Sequence, residues 1–189
     1  MNILSRTDCF KLIKTMDMMD HIIDHSVMVS NVTLFLCREL KKNSAMINAE
    51  LAVSAALLHD ITKTRSFSTR ENHSETGGCL LTDMGYPEVG SIIRQHVILD
   101  SYAAESPVSE QEIVNYSDKR VLHDRVVSLG ERLDYINVRY GKTAEFESRI
   151  RIMRQNTLDL ENKIFSHLAF SPDQLSAHIT NEIKKMDYP

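Results

Sequence analysis

Apolar residues recur along this chain at helical spacing, and the alternating β-branched runs that predict strands are short. The longest pattern covers 22–40, where Ile, Val, Leu and Phe repeat. Arg38, Lys41 and Lys42 close it with cations that suit a helix C-terminus. Glycine and proline are scarce, with 6 and 4 residues. The pattern therefore predicts an all-α protein.

Capping residues divide this pattern into separate helices. Helices are predicted from Thr7 or Asp8 to about Met19, over 22–42, 49–58 and 72–84, from Pro87 through Val97, from a capping box at Ser109 through Leu122, from Val126 to Gly141, and over 143–168 and 172–186. Residues 61–70 and 100–108 are predicted to be loops. Gly77 and Gly78 are unfavourable inside a helix unless another backbone packs closely against them.

The chain shows no internal repeat, low-complexity segment or linker. Its 189 residues fit one domain with a sizeable core. We expect a single all-helical domain over 1–189. Within it, 20–140 would carry the chemistry and 141–189 would be a helical extension.

Composition limits the partners that this chain can have. The net charge is −4, which argues against broad nucleic-acid binding through a basic face. A phosphorylated small substrate stays compatible, because bound cations can reverse the local field. No apolar run approaches membrane-spanning length. The 3 cysteines form no CxxC motif, so neither a disulfide framework nor a thiolate zinc site is indicated, and a cytoplasmic location is expected.

The most informative segment is the end of the apolar run Ala55–Leu58, which leads directly into His59 and Asp60. Two metal-ligand residue types would then lie at the end of a buried helix, a rigid and shielded place for a metal. Lys63 follows three residues after Asp60. Asp60 could instead only cap the following turn.

Further ligand candidates occur along the chain at His25, His73, His96 and Asp118. Imidazole and carboxylate without thiolate suit Fe, Mn, Co, Ni or Zn. Asp60 could bridge two ions, since a carboxylate has two oxygens with spare lone pairs. The other histidines are interpreted as structural or solvated: His21, His123, His167 and His178.

The ordered set His25, His59-Asp60, His73, His96 and Asp118 resembles the HD superfamily of metal-dependent phosphohydrolases. Leu57-Leu58-His59-Asp60-Ile61-Thr62-Lys63 is similar to the signature segment of that superfamily. The resemblance implies an HD-domain helical bundle with additional C-terminal helices. The chain also looks distantly like the branch that splits dinucleoside polyphosphates symmetrically.

The same resemblance implies roles for individual residues. One divalent ion would be held by His25, His59, Asp60 and Asp118, and a second by Asp60, His73 and His96. A bridging water or hydroxide would attack phosphorus, with Asp60 and Lys63 as the catalytic residues. Lys63 would hold a phosphate oxygen. Because they lie close to the ligands in the sequence, Arg65, Arg70, Lys119 and Arg120 would bind further phosphates.

The expected function is hydrolysis of a phosphoester or phosphoanhydride in a nucleotide or another small phosphorylated molecule. A di-iron oxygenase of the same fold is an alternative, and so is a non-catalytic nucleotide-binding signalling module. A homodimer is possible through an apolar stripe on the helix predicted over 143–168, formed by Phe146, Ile150, Met153, Leu158 and Leu160.

Overall fold

The chain folds into a bundle of α-helices with one short β-hairpin, which confirms the all-α prediction. The computed structural model describes residues 2–43, 45–140 and 143–185. The helices are α1 (Arg6–Thr15), α2 (Asp20–Lys42), α3 (Ala49–Leu58), α4 (Lys63–Thr69), α5 (His73–Asp83), α6 (Pro87–Arg94), α7 (Glu110–Lys119), α8 (Leu129–Tyr140), α9 (Ala144–Phe165) and α10 (Leu175–His178). Strands β1 (Val121–Leu122) and β2 (Arg125–Val126) pair antiparallel.

Helix α3 forms the centre of the bundle. Every residue from Leu51 to Leu58 is buried, and the helix packs against α1, α2, α6 and α7. Asn48 caps it by accepting a hydrogen bond from the backbone N–H of Leu51. A helix with apolar residues on all sides is stable only inside a core. Its C-terminal end, at His59, therefore lies among other helices.

Helices α5 and α6 pack unusually closely. A Cβ atom on Gly78 would lie 2.8 Å from the carbonyl oxygen of Gly90 and 3.0 Å from Cβ of Arg94. A Cβ on Gly90 would meet the carbonyl oxygen of Gly78 at 2.5 Å. The expectation that another backbone approaches the glycine pair is thereby confirmed. This contact holds the start of α5 and the end of α6 at fixed positions.

Several predicted boundaries are wrong. Helix α1 is capped by Ser5 rather than Thr7 or Asp8, and it ends at Thr15. The predicted loop over 61–70 contains α4, in which the Ser66 hydroxyl donates to the carbonyl of Lys63. A sequence rich in Ser and Thr is a weak helix former. Local side-chain hydrogen bonds stabilise this helix.

The helices on either side of the hairpin are shorter than predicted. Helix α7 begins with the predicted capping box of Ser109 and Glu112, but it ends at Lys119 because the chain turns into β1. Helix α8 starts only after the hairpin, and the predicted stop at Gly141 lies outside the described residues. Helix α6 ends at Arg94, so His96 follows the helix instead of lying on it.

The prediction of a final helix over 172–186 is also wrong. A 3₁₀ turn covers Pro172–Gln174, α10 has only four residues, and 179–185 are irregular. Residue 186 lies outside the described residues. The segment is nevertheless anchored, since Leu175 and Ile183 belong to the main core.

The apolar stripe predicted for a dimer is divided between core and surface. Ile150 and Leu160 are buried, whereas Phe146 and Leu158 are exposed. The homodimer stays a prediction. Among the described helices, none combines the length and the apolar character needed to cross a membrane.

Candidate metal centre

Ends of helices bring the predicted ligand residues together. His25 lies in the second turn of α2, His59 at the end of α3 and Asp60 in the following turn. His73 is the first residue of α5, His96 lies in the turn after α6, and Asp118 lies in the last turn of α7. All of them are buried except His73, which is partly exposed. The cluster therefore has one side open towards solvent, at His73.

The first part of the cluster surrounds His59. Its Nε2 lies 3.3 Å from Oδ2 of Asp60 and 3.9 Å from Oδ1 of Asp118. The same Asp118 oxygen lies 3.1 Å from Nε2 of His25. One ligand atom each from His25, His59 and Asp60 lies within 4.8 Å of the others, a spacing that a single metal ion could span.

The second part shares Asp60 with the first. Oδ1 of Asp60 lies 3.2 Å from Nε2 of His73 and 3.6 Å from Nε2 of His96. Ligand atoms from these three residues also lie within 4.8 Å of one another. Asp60 thus presents one oxygen to His59 and the other to His73 and His96, which is the arrangement expected of a bridging carboxylate.

Backbone carbonyls fix the orientation of three imidazole rings. Nδ1 of His25 lies 3.0 Å from the carbonyl oxygen of His123, and Nδ1 of His59 lies 2.8 Å from that of Ala56. Nδ1 of His96 lies 2.7 Å from the carbonyl oxygen of Ile93. A carbonyl oxygen only accepts, so each Nδ1 carries a proton and donates. In the neutral ring, Nε2 is then a lone pair directed into the cluster.

These lone pairs point at carboxylate oxygens, which shows that the residues fit a cation. Nε2 of His25 faces an oxygen of Asp118, and Nε2 of His59 faces an oxygen of Asp60. In each pair both atoms are hydrogen-bond acceptors, so the contact is favourable only if a positive charge lies between them. Within the described part of the chain, Nε2 of His59 and Oδ1 of Asp60 are buried without a hydrogen-bond partner. Bound divalent ions would satisfy both atoms.

The charges of the carboxylates support this assignment. Burial would raise the pKa of Asp60, but His59 and Lys63 outweigh burial and hold it well below its ordinary value. Burial would likewise raise the pKa of Asp118, but Lys119 and His25 hold it well below the ordinary value. Both groups are therefore ionised and can only accept, as metal ligands must.

The pKa values of His96 and His59 are shifted in opposite directions. Burial, followed by the charge of His59, keeps the pKa of His96 well below its ordinary value, so its ring is neutral. Burial would also lower the pKa of His59, but the Asp60 carboxylate raises it. The negative charge that favours a proton on Nε2 of His59 equally favours a metal cation there.

Two of the predicted basic residues lie at the cluster. Nζ of Lys63 donates to Oδ2 of Asp60 at 2.7 Å, and 29% of its side chain is exposed. Nζ of Lys119 is buried, and it donates to the carbonyl of His96 at 2.6 Å and to Oδ2 of Asp118 at 3.1 Å. Lys63 therefore faces the open side, whereas Lys119 holds two ligand segments in place.

The other predicted basic residues have different surroundings. Arg120 is buried, and its guanidinium donates to the carbonyls of Val127 and Pro172, to Tyr116 and to Glu161. Arg65 pairs with Glu71 at the surface. Arg70 is exposed at the end of α4 with a positive φ of 59°. The structure shows no hydrogen bond from these three arginines to the His/Asp cluster among the described residues.

Sequence reasoning missed two contributors to the site. The carbonyl of His123 orients His25 from the turn between β1 and β2. Arg132, in the first turn of α8, places Nη2 3.5 Å from Oδ1 of Asp118. The only sequence signal for Arg132 is its place beside Leu133, on the apolar face of a predicted helix.

Comparison with protein families agrees with this geometry. The family model described as "HD domain" matches residues 22–135, which include all of the clustered histidines and aspartates. The chain belongs to the HD domain family. HD domains are typically metal-dependent phosphohydrolases, so the chain is placed in a superfamily of metal-dependent hydrolases. Its His/Asp cluster could hold a metal ion.

No curated protein and no solved structure matches this HD domain. The narrower likeness to symmetrical dinucleoside-polyphosphate hydrolases stays a prediction from the sequence. The number and identity of the metal ions also stay predictions.

Proposed function

We propose that this HD domain hydrolyses a phosphoester or phosphoanhydride bond in a nucleotide or another small phosphorylated molecule. The observation that carries the proposal is the buried cluster in which imidazole lone pairs face ionised carboxylates, with the partly exposed Lys63 beside it. Such a cluster combines a place for divalent cations with a place for an anion.

Two ions would divide the ligands at Asp60. His25, His59 and Asp118 would complete one set, and His73 and His96 the other. Bound divalent ions of the Fe, Mn, Co, Ni or Zn type would lower the pKa of a water molecule and polarise phosphoryl oxygens. The residues of the chain hold these ligands rigid: carbonyls fix the histidine rings, and Lys119 ties the His96 turn to α7.

Lys63 would bind the substrate. Its ammonium carries three protons, of which one is directed to Asp60. Burial would lower its pKa, but Asp60 and Asp118 raise it, so the group stays charged at neutral pH. The remaining protons can donate to a phosphoryl oxygen from the open side. Cations beside the cluster favour phosphate chemistry over the oxygenase alternative.

Turnover by the metal-loaded protein tests this proposal. Full-length protein, purified without chelator and loaded with Mn²⁺ or Fe²⁺, should release phosphate or nucleotide from a panel of nucleotides, dinucleoside polyphosphates and sugar phosphates. Asp60→Asn should lose both metal and turnover, whereas Asp124→Asn, at the exposed hairpin turn, should keep both.

Absence of turnover across the panel would overturn the proposal. Oxygen consumption instead would select the oxygenase, and nucleotide binding without hydrolysis would select the signalling module.

A further inference from the structure

Arg132 is a charged residue that the metal centre itself does not explain. Only 13% of its side chain is exposed, and it lies against Asp118, whose side chain is 11% exposed. Its contact from Nη2 to Oδ1 of Asp118 is long, at 3.5 Å. Its Nε is buried without a hydrogen-bond partner among the described residues.

Arg120 shows how this fold satisfies a buried guanidinium when the role is structural. Its Nε donates to the carbonyl of Val127 at 2.8 Å, and its Nη atoms reach Glu161 at 3.2 Å and the carbonyl of Pro172 at 2.9 Å. A guanidinium has five N–H donors, and burying it with donors unused is unfavourable. Within the described part of the chain, Nε of Arg132 has no such partner, and this unused donor points to a ligand.

The place of Arg132 defines the charge of that ligand. Its guanidinium interacts electrostatically with Asp118, Lys119 and Lys63. Arg132 and Lys63 come from different helices, α8 and α4, and each contacts one carboxylate of the cluster. Two like charges at one site repel each other, and an anion bound between them would relieve the repulsion.

We propose that Arg132 and Lys63 together bind a terminal phosphoryl group of the substrate. This inference rests on the proposed function and narrows it. A guanidinium donates in parallel to two phosphoryl oxygens, and the Lys63 ammonium supplies a donor for a third. A phosphomonoester or a terminal phosphate has three unesterified oxygens and two negative charges near neutral pH. A diester has two such oxygens and one charge, so it matches the pair of cations less well.

A purely positioning role would have different consequences. If Arg132 acts only by orienting Asp118, its loss should disturb metal binding first, because second-shell partners of ligands tune metal affinity. If Arg132 binds the substrate, metal binding should persist and anion binding should weaken. Metal content therefore separates the two roles without any measurement of activity.

Binding of inorganic phosphate to the Mn²⁺-loaded full chain, measured by calorimetry, tests the proposal. Arg132→Gln should weaken phosphate binding at least tenfold with metal content unchanged, and Arg132→Lys should recover part of the loss. The matched control is Arg139→Gln, an exposed arginine of the same helix, which should stay within about twofold of the wild type. Dimethyl phosphate, which lacks the third free oxygen and the second charge, should bind more weakly than phosphate.

The proposal is overturned if the wild type does not bind phosphate, if Arg132→Gln binds it as tightly as the wild type, or if that variant loses metal. Equal affinity for dimethyl phosphate and phosphate would also overturn it. Failure here is distinct from failure of the proposed function. Turnover at the wild-type kcat/KM in Arg132→Gln would contradict this inference alone, whereas phosphate binding through Arg132 without hydrolysis of any substrate would contradict the proposed function alone.

Discussion

Asp60 connects the two halves of the cluster at the scale of single residues. One oxygen faces His59, the other faces His73 and His96, and Lys63 approaches from the open side. Each neighbour supplies either a lone pair for a cation or a proton for an anion. Removing one neighbour should therefore affect one kind of ligand more than the other.

Lys63→Gln should separate these effects. We expect metal content to stay as in the wild type and kcat/KM to fall by about tenfold to a hundredfold, because a hydrogen bond to a charged group contributes about 1.5–3 kcal/mol. Steady-state kinetics with metal analysis measures this, and Lys184→Gln at an exposed position is the control. An unchanged kcat/KM would remove Lys63 from the substrate site.

The sequence allowed the His/Asp cluster to be predicted but not the surrounding arginines. The order of the histidines and aspartates resembles the HD superfamily, and that resemblance implied that they lie together. Arg120 was predicted at the site and Arg132 was not, because the pattern continued α7 through Leu122. The hairpin ends α7 earlier and brings α8 back beside Asp118. Two-residue strands carry too little periodicity to be recognised.

At the scale of elements, the contact between α5 and α6 positions His73 and His96. The glycines at 78 and 90 let the two backbones approach within a distance that any side chain would prevent. This contact was foreseeable, since a glycine pair inside a helix needs such a reason.

The length of the last helix was not foreseeable. Its capping box at Ser171 forms, but Ile183 exchanges hydrogen bonds with Asn31 and the chain leaves the helical path.

Gly78→Ala should destabilise the fold and loosen the second half of the cluster. The added Cβ would lie 2.8 Å from the carbonyl oxygen of Gly90, so the helices must separate. We expect a loss of about 1–3 kcal/mol in the free energy of unfolding, as for other overpacked cores. Urea denaturation measures this loss.

The matched control is Gly130→Ala, at the start of α8. A Cβ there would lie 3.9 Å from Oγ of Ser128, an ordinary contact. Alanine in a helix should leave stability equal or raise it by up to about 1 kcal/mol. Equal stability of Gly78→Ala and the wild type would contradict the close packing of α5 and α6.

At the scale of the whole molecule, the C-terminal segment completes the core. Nζ of Lys163 on α9 donates to Glu112 of α7 at 2.7 Å and to the carbonyl of Ala103 at 2.9 Å. Arg120 binds Glu161 of the same helix. Buried polar groups of the region 20–140 thus find their partners in 143–185. We propose that both regions form one cooperative unit, in line with the single domain expected from the sequence.

Differential scanning calorimetry of the metal-free protein tests this cooperativity. A single transition is expected, with equal calorimetric and van't Hoff enthalpies. Separation of α9 and the following segment would remove Glu161 from Arg120 and Lys163 from Glu112, so it should not occur on its own. Two resolved transitions would show that the C-terminal helices are an independent unit.

Anomalous X-ray diffraction from crystals of the Mn²⁺-loaded protein tests whether the His/Asp cluster binds two metal ions. We expect one peak among His25, His59, Asp60 and Asp118, and a second among Asp60, His73 and His96. A peak in the first position alone would keep the metal centre and contradict the second ion. Metal-loaded crystals without any anomalous peak at the cluster would contradict the metal centre itself.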